Sequence, residues 1–208
     1  FKFHRETPTD IEYLILNDND NNAPIIKLIV DDTFTGNASY MYLHRLRHVF
    51  NYVQITYLEV NNPSDLIIKL LNLLPKVQHI SISKANLRTI FVEQKNVTES
   101  FQATNKIISI VLGDVLAHFH FNYFQLFPNL RTIYLKKLDQ NCLQNHFKNG
   151  LLYMRKNTHS LEKIYFFVED AQYNEEKKLK NIVNMNNMNF RKKFVLSRKF
   201  RHFLLELK

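Results

Sequence analysis

The chain has 208 residues, 45% of them apolar and 23% charged, the balance of a folded domain with a core rather than of a disordered tail. Three glycines argue against glycine-cradled phosphate loops, and one cysteine, Cys142, excludes an intramolecular disulfide framework and any multi-cysteine zinc site. No stretch approaches the ~20 uninterrupted apolar residues of a membrane-spanning helix, and the start at Phe1 without a signal-peptide pattern reads as a fragment or a processed form.

The formal charge of +9 is unevenly placed. Residues 1–130 hold 11 Lys/Arg against 12 Asp/Glu, whereas residues 131–208 hold 17 against 7. The excess is densest at Arg191, Lys192, Lys193, Arg198, Lys199 and Arg201. Such an asymmetry points to an acidic partner or a basic binding face.

Taken in chain order, Ile11–Leu16 and Ile25–Val30 are strand-like, joined by the polar turn cluster Asn17-Asp18-Asn19-Asp20-Asn21-Asn22. From there a six-residue template recurs: apolar, two variable residues, apolar, one variable, apolar. It reads Ile55-Leu58-Val60, Val77-Ile80-Ile82, Ile107-Ile110-Leu112, Leu130-Ile133-Leu135 and Leu161-Ile164-Phe166. Ile11-Leu14-Leu16, Ile25-Leu28-Val30 and Phe200-Phe203-Leu205 fit it as well. The last two apolar positions of each unit share one face of a strand. Turn signals precede three units: Pro75, Pro128, and Thr158-His159-Ser160.

The intervening segments read as helices. Pro63-Ser64-Asp65 opens Leu66, Ile67, Leu70, Leu71 and Leu74, with Ser64 or Asp65 as cap and Pro75 as terminator. Val115–Phe127 stops at Pro128, and Cys142–Lys156 lines up Leu143, Phe147, Leu151 and Met154. Glu175–Met188 carries Leu179, Ile182 and Val183 behind an acidic start, where the helix dipole favours carboxylates. At the far end, Phe194–Leu196 and Phe200–Leu207 read as a last strand or hairpin that closes the sheet.

Strand and helix in alternation with short links imply a parallel sheet with helices outside. Successive units from Ile55 start 22, 30, 23 and 31 residues apart, in or just beyond the range of leucine-rich repeats. The segments Leu-Leu-Pro-Lys-Val-Gln-His-Ile-Ser-Ile at 73–82 and Leu-Phe-Pro-Asn-Leu-Arg-Thr-Ile-Tyr-Leu at 126–135 resemble the ribonuclease-inhibitor-like leucine-rich-repeat family. They are similar in particular to the irregular repeat domains that follow an F-box in substrate receptors. The resemblance implies a curved α/β solenoid, parallel sheet on one face and helices on the other. It also implies substrate recognition for a ubiquitin ligase in cytoplasm or nucleus. The family's laddering Asn or Cys would fall near Pro63, Ala85, Val115, Leu138 and Glu169, none of which is Asn or Cys. No F-box-like segment stands at the N-terminus of this sequence. The expected organisation is one irregular repeat domain over 1–208: a cap region at 1–50, core repeats at 51–170 and a basic cap at 171–208.

Candidate chemistry is sparse. His44 and His48 have the i, i+4 spacing of two ligands to one metal, but Arg45 and Arg47 oppose a cation and no third ligand is evident. His118 and His120 flank Phe119 and read as partly buried helix histidines beside Phe121 and Phe124. Cys142 with His146 one turn on has the spacing of a thiolate pair and no further support. Asp31-Asp32 and Glu175-Glu176 read as solvated charges, and the sequons at Asn37 and Asn96 carry meaning only outside the cell. No catalytic residue, cofactor or metal is expected.

Two surfaces remain. By alternation, the sheet face opposite the apolar triplets carries Tyr57, Glu59, Asn61, His79, Ser81, Ser83, Ser109, Val111, Thr132, Tyr134, Lys136, Lys163, Tyr165 and Phe167. Tyrosine gives large contact area at little entropic cost, so this face is expected to be solvent-facing and to bind a protein partner. The second is the basic tail at 190–203, where cations alternate with aromatics. That is a pattern for single-stranded nucleic acid, or for a cap strand whose charges guard a sheet edge.

Overall fold

Each apolar triplet within the described residues forms a strand. A computed structural model describes residues 26–30, 41, 44–45, 54–64, 67–94, 103–115, 120–138, 153, 160–168, 190–196 and 201–207. The expected strand at Ile11–Leu16 and the expected helices at Cys142–Lys156 and Glu175–Met188 lie outside them, apart from the helical Tyr153. The chain is α/β and divides into two compact units, residues 1–110 and 111–208.

In the first unit, strands β1 (Lys27–Val30), β2 (Tyr57–Val60) and β3 (His79–Ile82) lie side by side in chain order, all parallel. Their register follows the template: Leu28 pairs with Leu58 and Leu58 with Ile80, while Val30 pairs with Val60 and Val60 with Ile82. All six are buried. The second template position supplies one carbonyl that takes two amides of the next unit. Ile26 O accepts from Thr56 N and Tyr57 N, Thr56 O from Gln78 N and His79 N, and Gln78 O from Ile108 N and Ser109 N, all at 2.8–3.2 Å.

Helix α1 (Ile67–Leu73) is too short to persist alone in water and is held by burial of Ile67, Ile68, Leu70 and Leu71. It ends before Pro75, as expected, and Lys106 Nζ donates to the terminal carbonyls of Leu71 and Leu74. Helix α2 (Lys84–Gln94) has no counterpart among the expected elements. Ser83 is its N-cap: the hydroxyl accepts from Asn86 N at 3.2 Å and the carbonyl from Leu87 N at 3.1 Å. Leu87 and Ile90 are fully buried, but so is Asn86.

Strand β4 (Ser109–Val115) contains the boundary between the units. The second unit continues with a 3-10 helix at Phe121–Leu126, then β5 (Thr132–Leu138) and β6 (Lys163–Val168). Strands β5 and β6 are parallel, with Ile133 opposite Ile164 and Leu135 opposite Phe166. Arg131 O accepts from Glu162 N at 2.8 Å and Lys163 N at 3.0 Å, repeating the first unit's pattern.

The helix expected over Val115–Phe127 is corrected at both ends of the described residues: Val115 ends a strand, and Phe121–Leu126 is a 3-10 rather than an α-helix, residues 116–119 lying outside the described residues. Aromatic and β-branched residues lose side-chain freedom in an α-helix, and Phe121, Phe124 and Phe127, all buried, recur at the three-residue period of a 3-10 turn.

The expected terminal hairpin is present as β7 (Phe190–Leu196) and β8 (Arg201–Leu207), paired antiparallel. Strand β8 also pairs antiparallel with β6, so the triplet Phe200-Phe203-Leu205 departs from the parallel repeat. A hairpin reverses direction within a few residues, so only one of its strands can follow the parallel sense of the repeats.

Candidate functional site

The sheet face expected to be open is largely buried. Tyr57, His79, Ser81, Ser109, Val111, Thr132, Tyr134 and Tyr165 are all buried, Tyr134 to 1% exposure. Strands in a sheet lie ~4.8 Å apart, so neighbours flank a ring without covering its outer end. Burial this deep requires cover within the chain on that side as well. Strands buried on both faces are the norm for parallel sheets, and tyrosine tolerates it because its ring is apolar. Among the expected contact residues, Asn61 is exposed and Glu59, Lys136 and Lys163 are half-buried. The side chain of Phe167 lies outside the described set.

What that face holds is a set of paired polar groups. In the first unit, Lys27 Nζ lies 2.7 Å from Glu59 Oε2 and 5.2 Å from the centroid of the Tyr57 ring. His79 and Ser109 join through Nδ1 and Oγ at 2.7 Å. Burial lowers the His79 pKa to about 4, so the imidazole is neutral at neutral pH. A serine beside a neutral imidazole has the ingredients of an activated nucleophile, yet each is only 3% exposed and a substrate has no approach. In the second unit, Tyr134 stacks on Tyr165, with centroids 4.9 Å apart and planes 8° from parallel.

Asn86 went unnoticed in the sequence. Its Oδ1 accepts from Ser64 N at 2.7 Å, while Nδ2 donates to Asn62 O at 3.0 Å and to Val60 O at 3.4 Å. It thereby ties α2 to the loop after β2. The signal was present one residue beyond Ala85, where a laddering asparagine would fall.

The remaining candidates do not assemble. His120 is exposed, against the expected partial burial, and its ring meets Tyr123 edge-on at 5.9 Å. An extended backbone at φ −96°, ψ 105° places it outside the helical turn. His44 is half-buried and helical. His48, His118, Cys142, His146, the acidic pairs and both sequons lie outside the described residues. Among the described residues, no group of three or more His, Cys, Asp or Glu could hold a metal, and no helix is long and apolar enough to cross a membrane.

Of the basic tail, Arg191, Lys192 and Lys193 lie on β7 and Arg201 on β8, while Arg198 and Lys199 fall outside the described residues. The register places Glu206 between Lys163 and Arg191, and Phe203 between Phe166 and Phe194.

In the comparisons, no model of a known protein family matches the chain, and no curated protein does.

Proposed function

We propose that the chain is a non-enzymatic protein-interaction module, built as a curved scaffold of irregular leucine-rich-repeat-like units. Its setting, by resemblance, is substrate recognition for a ubiquitin ligase. The observation that carries the reading is the repeated register: Leu58 against Ile80 and Ile133 against Ile164, each reinforced by one carbonyl taking two amides of the next unit. Such stacking makes a rigid frame that presents its strand ends and edges at fixed spacing. Within the first unit β1, β2 and β3 follow chain order without reversal, so those strands form no switch-point crevice of the kind that holds nucleotides in doubly wound sheets.

Burial of the tyrosine row moves the contact residues to those that still meet water, Asn61 in the first unit and Lys136 and Lys163 in the second. The test is cross-linking mass spectrometry on the tagged full-length protein isolated natively. The reading predicts a stoichiometric protein partner linked through Lys136 or Lys163, with ubiquitin-ligase subunits in the same complex. Recovery of nucleic acid alone, released by moderate salt, would contradict it.

A further inference from the structure

Glycine weakens the interior of a strand, and it is of use there where the backbone needs a left-handed φ or where other atoms come close. Gly113, one of three glycines in the chain, lies inside β4. Its φ is outside the left-handed range, and among the described residues no atom beyond its two chain neighbours comes within 4 Å of where a Cβ would stand. Neither internal reason applies. The room beside this glycine is open.

Alternation sets Gly113 on the face of Val111, opposite to that of Ile110 and Leu112. On that face of the second unit Val111, Thr132, Tyr134 and Tyr165 are buried, whereas Gly113, Lys136 and Lys163 are half-buried. Gly113 and Lys136 hold the same template position, one residue past the last apolar residue, Leu112 and Leu135. Equal template positions stand opposite one another in β1–β2, β2–β3 and β5–β6, and β4 is the neighbour of β5. The same register sets Lys136 opposite Gly113. Lys136 forms no ion pair among the described residues, and an opposite charge brought against a half-buried ammonium is worth more than one at an open surface. Stacking of nucleic acid needs aromatics and cations together on an open face, but Tyr134 and Tyr165, the tyrosines of this face, are 1% and 4% exposed.

We infer that the notch between Gly113 and Lys136 receives an aspartate or glutamate side chain of a protein partner. The partner's backbone runs over Gly113, where the missing Cβ permits close approach, and its carboxylate meets Lys136 Nζ. This rests on the interaction-module reading and names the chemistry of the partner. A failed peptide titration leaves the cross-linking result standing, and the reverse also holds.

The experiment is an amide NMR titration of the nitrogen-15-labelled full chain at about 50 mM salt, where charge pairing is weakly screened. The probe is a capped alanine peptide with one central glutamate. The controls are the same peptide with glutamine, sodium acetate, and oligothymidine. The glutamate peptide should shift the Gly113 and Lys136 signals, with the glutamine peptide and acetate each weaker by about tenfold or more. Gly113→Leu and Lys136→Gln should each weaken the peptide by a similar factor, with Gly113→Ala in between. Gly113→Ala should melt no lower than the parent, because its methyl group enters open space. Should Gly113→Leu fail to fold, Gly113→Ala and Lys136→Gln carry the test. The inference is overturned by no shift at these two signals, or by unchanged affinity in Gly113→Leu, which would show charge attraction without a notch. Acetate binding as tightly as the peptide would overturn it, as would a Gly113→Ala variant that melts well below the parent, which would make the glycine structural. Tighter binding of oligothymidine at the same signals would assign the site to nucleic acid instead.

Discussion

His79 and Ser109, on neighbouring strands of the first unit, share a 2.7 Å hydrogen bond in a site that excludes water. Burial holds the imidazole pKa near 4, against 6.5 when free. The unfolded chain therefore binds more protons than the folded one between these values, and stability rises with pH across that window. The contribution is on the order of 3 kcal/mol, complete above pH 6.5 and lost as pH falls toward 4. Urea denaturation from pH 7.5 to 4.5 should show it, and His79→Gln should flatten the slope in that range. An unchanged slope in the variant would remove His79 as its source.

Asn86 satisfies three backbone groups at once, on Ser64, Asn62 and Val60. Asn86→Ala should cost about 3 kcal/mol in equilibrium denaturation, because three side-chain hydrogen bonds to buried or half-buried backbone groups are lost at once. A loss below about 1 kcal/mol, the net worth of a single ordinary hydrogen bond, would show that water replaces the amide.

Lys106 caps α1 by donating to the carbonyls of Leu71 and Leu74. Burial lowers its pKa to about 8, which leaves the ammonium charged at pH 7, where it also complements the negative end of the helix dipole. Lys106→Met should destabilise by about 1–2 kcal/mol at pH 7. Amide exchange in Leu70–Leu73 should rise more than in α2. Uniform exchange changes across both helices would contradict the capping role.

The Tyr134–Tyr165 stack should appear as coupling of about 1 kcal/mol in a double-mutant cycle with Tyr134→Leu and Tyr165→Leu. Additive losses would show that each ring is held by other neighbours.

Much of the strand framework was legible because the template encodes it twice, as an apolar pair two residues apart and as a turn signal before it. Val77 N donates to Leu74 O, Ile107 N to Thr104 O and Leu130 N to Phe127 O, so three units start on the same turn. Helix α2 was not legible, because its buried stripe includes Asn86, a polar residue where periodicity looks for an apolar one. The 3-10 turn at Phe121–Leu126 was misread because a run of aromatics fits a buried helix and a tight turn equally well. The tyrosine row was misread for a related reason. Alternation separates the two faces of a strand but does not say whether the second face meets water, and Tyr, Ser, Thr and His all tolerate burial once paired, as His79 is with Ser109.

The central claim is that the apolar triplets stack as parallel, in-register neighbours, and methyl–methyl NOEs test it most directly. With Ile, Leu and Val methyls labelled, the account predicts cross-peaks for Leu58–Ile80, Val60–Ile82 and Ile133–Ile164. Dominant Leu58–Ile82 and Val60–Ile80 cross-peaks, the signature of antiparallel pairing, would contradict it, as would helical amide NOEs through residues 79–82.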